Sequence, residues 1–146
     1  MATAKPSKSD VHREIKEAFG TVPEWVTEIP EPALLGFWTL FRDMQLSETR
    51  IPNKYKELIG LAVSGATRCR YCALFHTEAA RLHGATDEEI AEASMMGGVS
   101  MMASTFLNAQ AVDYERFKKD TLDAVSYARK QMGTTAAPKK TSTAHA

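Results

Sequence analysis

The chain has 146 residues, of which 44% are hydrophobic and 25% charged, and its 18 basic and 18 acidic residues cancel at neutral pH. These values are ordinary for a globular protein, and they exclude a strongly basic surface for nucleic acid or an anionic membrane. Charged or polar residues interrupt every apolar run before it reaches the length of a membrane span. The first ten residues lack the apolar core of a signal peptide, so we expect a cytoplasmic protein that binds neither nucleic acid nor membrane.

Apolar residues recur at helical spacing between prolines and glycines, which predicts an all-α protein of about six helices. Asp10 is expected to cap a first helix that ends at Phe19, and Trp25, Val26 and Ile29 are expected to form a buried single turn. The later helices are expected over residues 33–45, 52–64, 69–83, 87–96 and 113–132. The chain has no glycine-rich phosphate loop, and we expect no cofactor.

We expect residues 10–133 to form one helical domain, with disordered tails over residues 1–9 and 134–146. Residues 86–89 have the pattern of a capping box, and Gly97 and Gly98 are expected to kink or break the helix that follows it. The apolar stretches 32–45 and 94–107 exceed what a small helical monomer readily buries. They therefore predict a homo-oligomer.

The only two cysteines, Cys69 and Cys72, are spaced Cys-x-x-Cys, and His76 follows one helical turn later. On a helix these three residues share one face. Two thiols three residues apart can form a disulfide, and the imidazole can take a proton from Cys72 or return one. In a reducing compartment such a pair is more often redox-active or metal-binding than structural. The pattern therefore predicts a dithiol redox site.

Two other interpretations of the cysteines stay open from the residues alone. The thiols could simply be buried, as free cysteines often are. They could also hold zinc together with His76 and Glu57, although structural zinc sites usually combine two separate pairs of ligands and this chain has one. Either alternative would make the protein a helical binding or assembly module rather than an enzyme.

The residues alone do not decide which thiol reacts first. The start of the helix and the flanking Arg68 and Arg70 favour a thiolate at Cys69, whereas the nearby His76 favours Cys72. Because Cys69 lies nearer the helix start, we expect it to be the more accessible thiol, with Cys72 deeper in a pocket beside His76.

The surrounding residues resemble the alkylhydroperoxidase D-like branch of the carboxymuconolactone decarboxylase superfamily. The family pattern is a glutamate, here Glu57, twelve residues before the first cysteine, followed by Cys-x-x-Cys-x-x-x-His from Cys69 to His76. The sequence Gly-Ala-Thr-x-Glu-Glu-Ile at 84–90 extends the resemblance, which covers residues 54–93. The combined pattern is far more specific than Cys-x-x-Cys alone.

The resemblance implies an all-α fold that assembles as a trimer or hexamer, and a thiol-dependent peroxidase. It implies that Cys72 attacks the hydroperoxide and becomes a sulfenic acid, and that Cys69 then closes the disulfide. Glu57 and His76 would relay the proton, and a lipoyl or thioredoxin-like protein would supply the reducing dithiol. We expect no metal in this site.

One position departs from some of the peroxidases in the family. Tyr71 stands between the cysteines where those members carry a second histidine, so a proton relay in this chain would lack that group. The decarboxylase branch lacks the cysteine pair, and we therefore do not expect lactone decarboxylation. A general disulfide oxidoreductase is the alternative enzyme.

Overall fold

A computed structural model describes residues 5–133, and this range contains helices but no strand. The elements in chain order are α1 (Lys8–Phe19), α2 (Glu24–Thr27), α3 (Glu31–Leu40), a π helix (Phe41–Leu46), α4 (Asn53–Thr67), α5 (Arg70–Leu82), α6 (Asp87–Ala109) and α7 (Tyr114–Gly133). The predicted all-α class is confirmed. The element count exceeds the expected six because the short α2 and the π helix are elements of their own.

The described residues form two compact units, over residues 5–100 and residues 101–133. Both cysteines, Glu57 and His76 lie in the first unit. The expected single domain over residues 10–133 stays a prediction. Lys8 and Ser9, expected in a tail, lie in α1, whereas residues 1–4 and the expected tail 134–146 are outside the described range.

A hydrophobic core in the first unit joins α1, α2 and α3. Its buried members are Val11, Ile15, Val26, Leu34 and Trp38. Val11 and Ile15 on α1 are four residues apart, as are Leu34 and Trp38 on α3, so each pair lies on one helix face. Burying one such apolar side chain contributes about 1.5–3 kcal/mol to stability. The expected burial of Trp25 is wrong: it is 56% exposed, because its ring lies edge-on against Phe37 outside this core.

Helix α1 begins earlier than the sequence predicted, because Ser7 rather than Asp10 is its N-cap. The Ser7 hydroxyl accepts a hydrogen bond from the Asp10 backbone at 3.3 Å, and the Asp10 carboxylate accepts one from the Ser7 backbone at 3.0 Å. Asp10 is thus the second half of a capping box. Gly20, with φ 74°, ends the helix in the left-handed conformation.

The helix predicted over residues 33–45 is two elements, α3 and the π helix. Pro32 lies in the first turn of α3, as predicted. In a π helix each backbone N–H bonds a carbonyl five residues back, and the Ser47 N–H does so to Arg42 at 2.9 Å. The wider turn ends with Gln45 and Leu46, immediately before the loop to α4. Sequence spacing alone did not reveal the change of helix type.

Helices α4 and α5 form an antiparallel hairpin that carries the predicted site residues. Helix α4 continues through Gly65, where a break was predicted, and ends at Thr67. Its C-cap, Arg68, has φ 57° and ψ 32°. The next residue, Cys69, donates its backbone N–H to the Ser64 carbonyl at 3.0 Å. This short connection turns α5 back along α4 and brings His76 beside Gly60.

Helix α6 runs without interruption through residues 87–109, so a break at Gly97 and Gly98 is wrong. Gly97 is buried, and a Cβ added there would lie 2.5 Å from the Ala62 carbonyl oxygen of α4. The glycine therefore permits a close approach between two helices instead of breaking one. Apart from the adjacent backbone of α6 itself, no atom of residues 5–133 lies within 4 Å of the equivalent position at Gly98.

The start of α6 follows the predicted capping box, and the start of α7 has a side-chain cap as well. Thr86 and Glu89 form the capping box, with hydrogen bonds of 2.9 and 3.2 Å between backbone and side chain. Glu89 also pairs with Lys54 at 2.6 Å, which ties α6 to α4. Asp113 caps α7 by accepting from the Arg116 backbone at 2.8 Å. None of these helices, nor any other within residues 5–133, combines the length and apolarity needed to cross a bilayer.

Candidate dithiol active site

Cys69 and Cys72 are joined in a disulfide, with their Cα atoms 5.4 Å apart. Cys69 is the N-cap of α5 rather than a residue of its first turn, and its sulfur accepts a hydrogen bond from the Cys72 backbone at 3.2 Å. The first turn of a helix presents unpaired N–H groups and the positive end of the helix dipole. A Cys69 thiolate formed by reduction would therefore be stabilised at this position.

The exposure of the two cysteines is the reverse of the expected order. Cys69 is half-buried and Cys72 is exposed, so the expectation that Cys69 is the more accessible is wrong for the single chain. The hydrogen bond from the Cys69 backbone to Ser64 holds Cys69 against the end of α4, whereas Cys72 lies one turn further along α5. Cys72 nevertheless borders the same cleft as His76, as expected.

Glu57 and His76 form a hydrogen-bonded pair between α4 and α5. Glu57 is only 1% exposed, and its Oε2 lies 2.7 Å from Nδ1 of His76, whose side chain is 17% exposed. A carboxylate buried to this extent needs hydrogen-bond partners to offset its lost hydration. Because Nδ1 is engaged by Glu57, Nε2 is the ring nitrogen that remains for exchanging a proton with a bound molecule.

Gln45 is a third member of this group that the sequence did not identify. Its side-chain amide donates a hydrogen bond of 2.7 Å to Oε1 of Glu57, so each carboxylate oxygen has a partner. An amide donor stabilises negative charge on the carboxylate and fixes its orientation. The only signal in the sequence was a polar residue between Met44 and Leu46, which is equally typical of a helix end.

The imidazole of His76 lies against the backbone of α4 at Gly60. A Cβ at Gly60 would be 2.5 Å from Nδ1 and 2.6 Å from Nε2 of the ring, so a larger residue would displace it. Phe75 meets the same ring edge-on with centroids 5.3 Å apart, and Phe75 in turn contacts Phe41 of the π helix at 5.8 Å. The position of the ring is therefore set by packing as well as by its hydrogen bond.

An open cleft of about 760 Å³ adjoins Cys72 and His76. Its lining from α4 is Lys56, Ile59, Gly60, Val63, Ser64 and Thr67, and its lining from the π helix and the following loop is Met44, Gln45, Thr49, Arg50 and Ile51. The volume lies within the ~300–1,000 Å³ typical of small-molecule sites. Within residues 5–133, its charged lining residues are Arg50 and Lys56, and no acidic side chain borders it.

The geometry gives no support to the zinc interpretation. Within residues 5–133, no three His, Cys, Asp or Glu side chains are grouped as metal ligands. The two sulfur atoms that would have to bind zinc as thiolates are bonded to each other.

The sequence profile of the carboxymuconolactone decarboxylase family matches residues 32–109, more than half of the chain. This range contains Glu57, both cysteines and His76. The protein therefore belongs to the carboxymuconolactone decarboxylase family, in its alkylhydroperoxidase D-like branch.

Two solved structures are similar to this chain. The alkylhydroperoxidase AhpD core from Rhodospirillum rubrum is 27% identical with a TM-score of 0.65, over 75% of this chain and 84% of that one. A protein from Methanobacterium thermoautotrophicum is 30% identical with a TM-score of 0.51, over 61% of this chain and 98% of that one. No curated protein matches the chain significantly.

Proposed function

We propose that this protein is a thiol-dependent peroxidase that reduces hydroperoxides through Cys69 and Cys72. The observation that carries the proposal is the buried Glu57–His76 pair, joined by a hydrogen bond of 2.7 Å, beside a cleft that Cys72 also borders. Membership of the family and the similarity to an alkylhydroperoxidase core support the same chemistry.

In the oxidative half of the reaction, the Cys72 thiolate attacks the outer oxygen of the hydroperoxide. The O–O bond breaks, and the departing alkoxide takes a proton from Nε2 of His76 to leave as an alcohol. Glu57 orients the ring and stabilises its protonated form. Cys72 is now a sulfenic acid; the Cys69 thiolate attacks its sulfur, the disulfide forms and hydroxide leaves as water after protonation.

In the reductive half, an external dithiol reopens the disulfide by thiol exchange. A lipoyl or thioredoxin-like protein is the kind of reductant we propose, in a reducing compartment such as the cytoplasm. In the single chain Cys72 is the more exposed cysteine, so we expect an incoming thiolate to attack there. Cys69 then departs as a thiolate at the start of α5, where the helix stabilises it.

We also propose that the working form is a homo-oligomer, with a trimer or hexamer as the expected assembly. On the part of α6 in the first unit, Met95 is 68% exposed and Met96 58% exposed. Methionine is enriched at protein interfaces. Light scattering at micromolar concentration should give a mass several times 16.1 kDa, and a monomer mass would contradict the proposal.

The peroxidase proposal is tested by adding hydroperoxide to the fully reduced protein. One equivalent should be consumed as the disulfide forms, and repeated turnover should begin when a lipoyl or thioredoxin-type dithiol is supplied. The alternative function is a general disulfide oxidoreductase, which the exposed Cys72 favours. Reduction of protein or small-molecule disulfides without consumption of any hydroperoxide would select that alternative.

A further inference from the structure

The charge of the cleft is one-sided. Arg50 is exposed at its border, and no hydrogen bond or ion pair within residues 5–133 engages its guanidinium group. The Lys56 ammonium donates one hydrogen bond, of 2.6 Å, to the Ser47 carbonyl, which leaves two of its three N–H groups. Two cations without an acidic neighbour on the lining form a site for an anionic group.

The rest of the lining is mostly apolar. Met44, Ile51, Ile59 and Val63 border the cleft, and each remains between 45% and 59% exposed in the single chain. A ligand that covers these side chains would gain about 25 cal/mol for each Å² of apolar surface removed from water. The cleft therefore favours a molecule with an apolar body as well as an anionic end.

The cations and the reactive sulfurs lie at different levels along α4. His76 packs on Gly60, and the backbone of Cys69 bonds Ser64, so the chemistry lies beside residues 60–64. Lys56 lies four residues before Gly60 and eight before Ser64, which corresponds to about 6–12 Å along the helix axis. An anion held by Lys56 and Arg50 would thus be separated from the reacting oxygen by a chain of several carbons.

We propose that the preferred substrates are amphipathic hydroperoxides with a carboxylate, such as those of fatty acids, and that Arg50 and Lys56 bind the carboxylate. This inference rests on the proposed peroxidase function, and it defines the substrate class of that site. Arg50 is the clearer determinant of specificity, because Lys56 also holds the loop through Ser47.

The experiment compares a long-chain fatty-acid hydroperoxide with its methyl ester, which has the same chain and peroxide but no charge. At low salt and below the micelle-forming concentration, kcat/KM should be about twofold to fivefold higher for the acid, in line with a partly exposed charge pair. High salt should reduce this acid-to-ester ratio towards one, because screening weakens exposed pairs. A ratio of one at low salt would overturn the inference.

Charge reversal at Arg50 sharpens the comparison. In Arg50→Glu the acid-to-ester ratio should fall below one, mainly through KM for the acid. Arg13→Glu is the matched control, because Arg13 is an exposed arginine of α1 outside the cleft, and its ratio should equal that of the native protein. Equal ratios in native, Arg50→Glu and Arg13→Glu proteins would overturn the assignment of Arg50.

Two further measurements separate this inference from the peroxidase proposal. The native protein should reduce a small uncharged alkyl hydroperoxide if it is a peroxidase. Turnover of that substrate, together with no preference for the fatty-acid hydroperoxide over its ester, would refute only the substrate class. If no hydroperoxide reacts, both fail. A saturated fatty acid should inhibit competitively, and the corresponding alcohol should inhibit only weakly. No inhibition by the acid would overturn the inference. That result is expected if a second copy of the chain covers the cleft.

Discussion

The two ends of the site differ in burial and in how firmly hydrogen bonds hold their side chains. At the buried end, Glu57 is 1% exposed and held by hydrogen bonds of 2.7 Å to Gln45 and His76. At the open end, Cys72 and Arg50 are exposed. The difference suits their proposed tasks, because proton transfer requires fixed geometry whereas the disulfide must admit a bulky reductant. Substitutions at the two ends should therefore have distinguishable effects.

The largest effect is expected at the open end. Cys72→Ser and Cys69→Ser should each abolish turnover, because neither can form the disulfide. Cys69→Ser should still react once with hydroperoxide and leave a sulfenic acid on Cys72, whereas Cys72→Ser should not react at a comparable rate. Mass spectrometry with a sulfenic-acid trap after a single addition of peroxide measures this. Label on Cys69 alone, in the Cys72→Ser protein, would reverse the two roles.

At the buried end, Glu57→Gln should lower peroxide-reduction kcat by about tenfold to a thousandfold, the usual loss when an acid–base group or its orienting partner is disabled. The fold and the disulfide should persist, because the amide is nearly the same size. Circular dichroism and a thiol count serve as controls. An unchanged kcat would make Glu57 a structural carboxylate only.

A smaller loss is expected when the second partner of Glu57 is removed. Gln45→Leu leaves Oε1 of a buried carboxylate without its donor, and a hydrogen bond to a charged group contributes about 1.5–3 kcal/mol. We expect kcat to fall by roughly tenfold and its pH profile to shift, which a purely structural role would not produce. Gln110→Leu, at an exposed glutamine outside the site, is the control and should keep the native kcat and the native pH profile.

The packing of the imidazole can be tested with two glycines of α4. Gly60→Ala would place a methyl group inside the space of the His76 ring. At Gly65 the same position has no described atom within 4 Å, apart from the adjacent backbone of α4. We expect Gly60→Ala to destabilise the protein by about 1–3 kcal/mol and Gly65→Ala to stabilise it by about 0.5–1 kcal/mol through helix propensity. Urea denaturation gives both values, and equal midpoints would argue against the close ring contact.

Gly60 and Gly65 show how much of the structure could be predicted from the sequence. The spacing of Cys69, Cys72 and His76 predicted that they share a helix face, because local periodicity determines which residues do so. The pairing of Glu57 with His76 was expected only from the family resemblance. The sequence predicted a break near Gly65, yet α4 continues through it. Glycine marks either a break or a close contact, and only the partner helix decides between them, as Ala62 does for Gly97.

The residues that sequence reasoning missed depend on contacts between distant segments. Gln45 meets Glu57 only because the chain widens into a π helix, which no apolar spacing predicted. The exposures of Cys69 and Cys72 likewise depend on a backbone hydrogen bond to Ser64 rather than on position along α5. The sequence shows the residue types, but it does not show which distant segments come into contact.

The smallest effect is expected at Glu14 of α1, which binds side chains of α3 and the π helix. The Trp38 indole and then the Arg42 guanidinium donate hydrogen bonds of 2.7 Å to Glu14, and together they hold the pKa of this carboxyl below its ordinary value of 4.5. A lowered pKa means that the carboxylate contributes stability above pH 4.5, and that this contribution is lost as the pH falls through the lowered pKa.

Glu14→Gln should therefore unfold at lower urea concentration than the native protein at neutral pH, and the difference should shrink as the pH falls below 4.5. Because the Glu14 side chain is 38% exposed, the loss should be at most about 1 kcal/mol. Glu17→Gln, at an exposed glutamate of the same helix, is the matched control and should follow the native protein at every pH. A Glu14→Gln difference that persists unchanged into acid would contradict this explanation, because it could not come from the ionised carboxylate. A concurrent fall in peroxide turnover at neutral pH would show that the anchored π helix also matters for Gln45 and the buried end of the site.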